Sequence, residues 1–517
     1  MINQKYDILF TDLHSNVHHN QIDELDMWYK QAQEVLDFWA IAYYPYYMRK
    51  EEGAMPVEDI YDMDIVQNDW QAIKKYLDAQ KDNGYPVFLG YEWQGAGLDG
   101  DHNVFFKGDG DLINPMRYED LCKQLVPDAL AIPHHLAYTL GHRGKNWQTH
   151  NEKRSPFAEI YSSHGSSESG YTDIHMNRHI HMGPRTGGTS VVDGLKAGHE
   201  VGIIASGDNH VVPGMYGHGY AAVLATENNK DAIWDALKKR RVYGVSHNKI
   251  LLNYEVDEQN MGSSFDTDKQ SFTHQVEVEA GDKISRVELI KDGDVLKTYA
   301  HNLSAAESLP VDTDQVTFKF KIEFGWGPDT RIFEDITSKI WEGQVKTEGE
   351  ILSVEKCWTS PNQKVNELTE NMCDFTLESH KSSQTGKWMG PSPVTTEGFI
   401  FEMKAPIDST VTFDIDGKTY EKTVRDILDN TDLFVQYDEA KQLVKERFGL
   451  TDYYRSDPFY HNAYKVRLLK GSTEKEYTTS VTFDVAQDIG KSFYYVKAIQ
   501  RDGAVAWSSP VWINRTK

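Results

Sequence analysis

The stretch Ala129-Leu130-Ala131-Ile132-Pro133-His134-His135 runs through five apolar residues and then ends on two imidazoles. An apolar run of that length reads as a buried strand, and its polar end falls where a strand delivers side chains to a site. The same design recurs on both sides of it. Strands are predicted at Asp7–His14, Phe38–Tyr44, Pro86–Trp93, Ala129–His135, Ala158–Ser163, Gly202–His210 and Tyr220–Thr226. Between them, Ile22–Leu36 and Trp70–Gln80 carry apolar residues at three- and four-residue spacing, the period of an amphipathic helix. Strand and helix in alternation predict a parallel sheet with crossover helices. Seven strands in about 220 residues suit a closed or distorted barrel.

Glu227–Tyr243 reads as a helix sealing this unit, with Ile233, Trp234, Ala236 and Leu237 on its apolar side. After Ser246 the pattern changes. Ile250–Val256, Gln275–Glu279, Ser285–Ile290, Val316–Phe324, Thr410–Ile415, Lys465–Leu469 and Phe493–Gln500 are short and β-branched. Turn signals such as Lys291-Asp292-Gly293-Asp294 and Asp416-Gly417 separate strands of this kind. The expectation is therefore an α/β domain over 1–246, followed over 247–517 by an all-β, sandwich-like domain with a helical insertion at Asp438–Phe448. Trp326, Trp341, Trp358 and Trp388 in that second domain could bind carbohydrate, but sandwich cores more often use such residues.

Composition removes several function classes. The chain has 517 residues, with 54 basic against 79 acidic ones and a net charge of -25. Such a surface repels nucleic-acid phosphates and anionic membranes, so neither is an expected partner. A small anionic substrate stays compatible, because bound metal inverts the field locally. Homo-oligomerisation stays open. The three cysteines, Cys122, Cys357 and Cys373, form no CxxC pair and no disulfide framework, which suits a reducing compartment. Met1–Asp7 reads as no signal peptide, and cytoplasmic is the expected location, with secretion left open. The sequence has no GxSxG elbow and no P-loop.

Of the 20 histidines, 15 lie at or before residue 218. They gather at strand ends with carboxylates: Asp12-Leu13-His14, Gly90-Tyr91-Glu92, Asp101-His102-Asn103, Pro133-His134-His135, Ser163-His164 and Ser206-Gly207-Asp208-Asn209-His210. One His after a strand is ordinarily a loop residue, and His142, His150, His175, His179, His181, His199 and His218 are read that way. Five strand ends each carrying a ligand type point to a metal. The mixed nitrogen and oxygen donors suit zinc, manganese or iron.

These segments, in this order, resemble the PHP (polymerase and histidinol phosphatase) superfamily of metal-dependent hydrolases. Tyr161–Glu168 and Ala506–Trp512 resemble a branch of it with a C-terminal β domain. The resemblance implies a distorted seven-stranded barrel and up to three metals. By position, its ligands would be His14, Glu92, His102, His134, His164, Asp208 and His210, with Glu92 bridging. Two motifs depart from the family: Asn16 stands where a second His is usual, and Tyr43-Tyr44 where an Asp-His pair is usual. One or two divalent ions are therefore expected rather than three, with His18 a substitute if its loop folds back.

Ions bridged by Glu92 would lower the pKa of a shared water and polarise a phosphoryl or carbonyl oxygen. His135 either protonates the leaving oxygen or only orients His134. Arg143 and Lys145 are candidates to hold a substrate anion, and Tyr44 to wall the pocket. The expectation is a metal-dependent hydrolase of a phosphoester or small anionic ester. The alternatives are a carbonyl or glycosidic substrate, or a degenerate domain that only binds.

Overall fold

A computed structural model describes residues 5–49, 57–170, 172, 174, 187–309, 315–325, 335–380, 396–449 and 464–517. His175, His179, His181, Trp326 and Trp388 lie outside these residues.

The chain is mixed α/β and rich in sheet. In the N-terminal half the apolar runs form the strands Trp39–Tyr44, Val87–Trp93, Ala129–Pro133, Phe157–Ser162, Gly202–Ala205 and Tyr220–Ala225, every residue of each being buried. Strands covered on both faces need apolar side chains on both, which is why they read as continuous runs. The helices Leu25–Val35 and Met63–Gln80 bring Trp28, Ala32, Trp70 and Ile73 into the same core.

The strands do not share one parallel ladder. Ser15–His18, Trp39–Tyr44 and Val87–Trp93 are parallel neighbours, but His102–Phe106 and Ala129–Pro133 continue that sheet antiparallel. Phe157–Ser162 pairs in parallel with Gly202–Ala205 in a second sheet. Asp7–Thr11 pairs antiparallel with Tyr220–Ala225 in a third. The expected single strand Asp7–His14 thus breaks, because the chain changes sheets at Asp12. That buried carboxylate accepts the backbone N–H groups of His14, Gly207 and Gly214 at 2.9, 2.8 and 3.0 Å. It ties the change of sheet to the segment that carries Asp208.

The expected helix Glu227–Tyr243 is also shorter than its pattern. A helix spans Lys230–Lys238, capped by the Asn229 side chain. Arg240 then takes a left-handed φ of 58°, and Val242–Val245 forms a strand in which Val242, Tyr243 and Val245 favour β structure. That strand pairs with Tyr220–Ala225 on one side and Val505–Ser508 on the other. One nine-stranded sheet therefore contains residues from both ends of the chain.

After residue 246 most regular elements among the described residues are strands. Strand Met372–His380 alternates buried and half-buried positions along its length, the mark of a sheet with one face in a core. The sheets built on Gln315–Phe324 and on Ser338–Thr347 pack together through Phe324 against Phe375 and Phe320 against Phe413, with ring centroids 5.2 and 6.1 Å apart. The expected helix is present at Tyr437–Phe448. Trp341 and Trp358 are buried core residues. Among the described residues no helix is long and apolar enough to cross a membrane.

Candidate metal centre

Polar strand ends from all three N-terminal sheets converge. His14 is the centre of the arrangement and is fully buried. Its Nδ1 lies 2.9 Å from Glu159 Oε2. Its Nε2 lies 3.4 Å from Glu92 Oε2 and 3.3 Å from Asp208 Oδ1. The second oxygen of each carboxylate faces another imidazole. Glu92 Oε1 is 3.8 Å from His134 Nε2, and Asp208 Oδ2 is 2.7 Å from His164 Nε2. The result is an alternating string: His134, Glu92, His14, Asp208, His164. Asp101 extends it, with Oδ2 3.5 Å from His135 Nε2.

Three sets of donors in this string are close enough to hold a metal ion: His14, Glu92 and His134; Asp101, His134 and His135; His135, His164 and Asp208. His134 and His135 each belong to two sets. Both ring nitrogens of His134 are buried without a hydrogen-bond partner, as are Asp101 Oδ1 and His135 Nδ1. A buried polar atom left without a partner is costly, and a bound cation would satisfy these donors.

The electrostatics point the same way. Burial works against charge on His14, yet Asp208 and Glu159 outweigh it and raise its pKa well above 6.5. Burial likewise disfavours the Glu92 carboxylate, but the facing imidazoles of His134 and His14 hold it well below its ordinary range. Burial pushes Asp101 up to about 8, with Arg143 opposing and Glu92 and Glu58 reinforcing the shift. Carboxylates facing imidazoles at this density are the donor chemistry that a divalent cation would satisfy.

The backbone is bent to make these approaches. His135, Arg143 and Asp208 have φ of 31°, 69° and 48°, a region that side-chain-bearing residues seldom adopt. At Gly207 a Cβ would lie 2.5 Å from Asp12 Oδ2, so only glycine lets the Asp208 turn close on Asp12.

The other expected site residues fall around this string. His102 is adjacent to Asp101, but its Nδ1 faces the Gly100 carbonyl at 2.9 Å and its Nε2 faces Lys145 Nζ at 3.3 Å. It belongs to none of the three donor sets among the described residues; Asp101 takes that place. Lys145 is not at an open mouth, as an anion-holding residue would be. It is buried over the Tyr118 ring at 4.6 Å, and burial lowers its pKa to about 7. Arg143 is engaged by carboxylates: it pairs with Asp101 and Glu58 and lies 3.8 Å from Glu92. His210 stands beside the string rather than in a donor set, with its Nδ1 2.7 Å from His18 Nε2. Tyr44 packs against both of these rings, at 4.7 and 5.1 Å.

Two residues of the cluster were not singled out from sequence. Asp101 was overlooked in favour of its neighbour. Glu159 had a signal that could have found it: a lone carboxylate inside the apolar strand Phe157–Ser162. It accepts from Ser206 Oγ at 2.7 Å and from the His135 N–H at 3.2 Å, besides meeting His14.

Comparison with known proteins adds three findings. Residues 188–277, which include Asp208 and His210, match a family model described as "Protein of unknown function (DUF3604)". No curated protein matches. Among solved structures, the chain is similar to a two-domain protein from Bacteroides vulgatus ATCC 8482, described as containing a predicted PHP-like metal-dependent phosphoesterase. The identity is 12%, the match covers 81% of this chain and 95% of that one, and the TM-score is 0.30.

Proposed function

We propose that the protein is a metal-dependent hydrolase of the PHP type, its N-terminal half a distorted barrel, acting on a phosphoester or related small anionic ester. The observation that carries this reading is the pair His134 and His135, which link three donor sets while His134 keeps both ring nitrogens unpartnered in the interior. Divalent zinc, manganese or iron, at one or two ions, would supply Lewis acidity toward the ester and toward water.

This chain's own residues divide the remaining work. Glu92 aims its two oxygens at His14 and His134, the placement of a bridging ligand. Glu159 holds the outer nitrogen of His14, which fixes the tautomer and turns Nε2 inward. Because His135 belongs to two donor sets, we assign it to ligation rather than to proton donation. The half-buried His18, His210 and Arg143, with the buried Tyr44 packed on the two imidazoles, would line the substrate side.

Metal analysis of the purified, reconstituted protein tests the proposal. One or two transition-metal ions per chain are expected, and less than about half an equivalent would overturn it. A screen of phosphate mono- and diesters with added manganese then tests the substrate class. Turnover of a carbonyl or glycosidic substrate alone would move the assignment to that chemistry.

A further inference from the structure

The strand Ser15–His18 is held from two directions. It pairs in parallel with Trp39–Tyr44, register His18 to Tyr44, while Ser15 bridges Asn209 and the Asn16 N–H donates to the Asn209 carbonyl at 2.8 Å. The strand therefore runs directly beside the turn that carries Asp208 and His210. Successive side chains on a strand alternate, so Asn16 and His18 share a face, His18 being one step nearer the rim. Gln21 locks the rings together from outside: its Oε1 accepts the His18 N–H at 2.9 Å and its Nε2 donates to the His210 carbonyl at 3.1 Å.

The outcome is two imidazole nitrogens face to face, His18 Nε2 and His210 Nδ1, 2.7 Å apart. At that distance one ring donates its N–H to the lone pair of the other; with the donor ring in its other tautomer, both nitrogens would offer lone pairs to a metal ion. Ligand nitrogens about 2.0–2.1 Å from a tetrahedral zinc lie roughly 3.3 Å from each other, so a ring shift of about half an ångström would admit an ion. Tyr44 packs on both rings and keeps them on this side of the pocket. The carboxylates of Asp208, Glu92 and Glu58 all place their fields on His210. Asn16, one step inward, has neither amide atom hydrogen-bonded.

We infer that His18 is a metal donor of this chain, acting with His210 on an ion at the Asp208 end of the string, while His102 is not a donor. The inference rests on the metal-centre reading above. His102 spends its Nε2 on the buried Lys145 amine, 3.3 Å away. His18 has no such partner and faces a second imidazole instead. The ligand that the sequence order assigns to the Asp101–Asn103 step is in this reading replaced by one from the first strand segment.

The full-length protein, its His18→Gln and His102→Gln variants, and a donor-retaining His18→Asp variant are each loaded with manganese or zinc and desalted. Metal is then counted per chain, and affinity is measured by competition with a chelator. Cobalt-loaded samples give a d–d spectrum that reports donor number and type. His18→Gln is expected to lose one ion, or to weaken it about tenfold or more, and to change the cobalt spectrum. His102→Gln is expected to match wild type in count and spectrum, and His18→Asp to retain the ion. Wild-type count, affinity and spectrum in His18→Gln would overturn the inference, as would loss of an ion in His102→Gln. The wild-type count reads separately on the metal-centre assignment: metal bound by wild type and unchanged by His18→Gln defeats only the present inference. His18 is half-buried at the rim, and circular dichroism of each variant shows that the fold is kept. Should His18→Gln fail to fold, His18→Asp decides through its cobalt spectrum, which must differ from wild type if an imidazole has been replaced in the donor set.

Discussion

Glu159 Oε2 lies 2.9 Å from His14 Nδ1, and both side chains are buried. The contact decides which face of the imidazole is available. With its outer nitrogen committed to Glu159, His14 can turn only Nε2 toward Glu92 and Asp208. Glu159→Gln keeps the shape but removes the charge that fixes the ring. Metal affinity should fall about 10- to 100-fold while the fold is retained. Chelator competition checks this, and affinity within twofold or so of wild type would count against a positioning role.

Glu92 is the only side chain whose oxygens meet both His14 and His134 among the described contacts. Glu92→Gln, held by the same Gln94 neighbour, should fold normally. It should lose hydrolytic rate by about 100-fold or more and bind less metal. Steady-state rates alongside metal counts test the assignment; turnover at the wild-type rate would remove Glu92 from the site.

The N-terminal half and the last strands are joined at Glu168. Glu168, four residues beyond His164, accepts from Tyr495 Oη at 2.9 Å and from Lys497 Nζ and Trp507 Nε1 at 3.2 Å. Glu168→Ala would leave the nearly buried Lys497 with only Glu288, 3.8 Å away. We expect a loss of about 3 kcal/mol in stability, the low end for a broken buried pair. Urea unfolding measures it. A midpoint equal to that of wild type would show that the network is not stabilising.

Glu397 offers a test of pH dependence away from the metal ligands. Burial pushes its carboxyl up from 4.5 to about 7, although the Thr359 and Ser360 hydroxyls donate to it. Between pH 4.5 and 7 the folded state holds this proton and the unfolded state does not, so stability falls as pH rises through that window. Glu397→Gln should flatten the fall, so that the wild-type melting midpoint drops by a few degrees relative to that of the variant from pH 5 to pH 8. Parallel pH slopes for the two proteins would contradict the shift.

Local pattern carried much of the architecture. Strands such as Val87–Trp93 and Tyr220–Ala225 were legible because burial on both faces demands unbroken apolar runs, and Met63–Gln80 because one apolar stripe faces a core. The break at Asp12 and the strand Val242–Val245 were not legible. The first depends on backbone N–H groups from near residues 207 and 214, and the second on pairing with residues 505–508. Neither partner is within reach of a local window.

The metal centre divides the same way. The sequence by itself determined that imidazoles and carboxylates cluster at the ends of buried strands, since strand ends and apolar runs are set by local periodicity. Tertiary structure alone decided which of two neighbours enters the donor cluster. Asp101 rather than His102 meets His134 and His135, because adjacent side chains diverge and Lys145, 43 residues on, engages His102. Likewise, His18 meets His210 across 192 residues of chain because one strand register places them together. Side-chain type is written in the sequence, but direction and partner follow from pleat and register, which only non-local pairing sets.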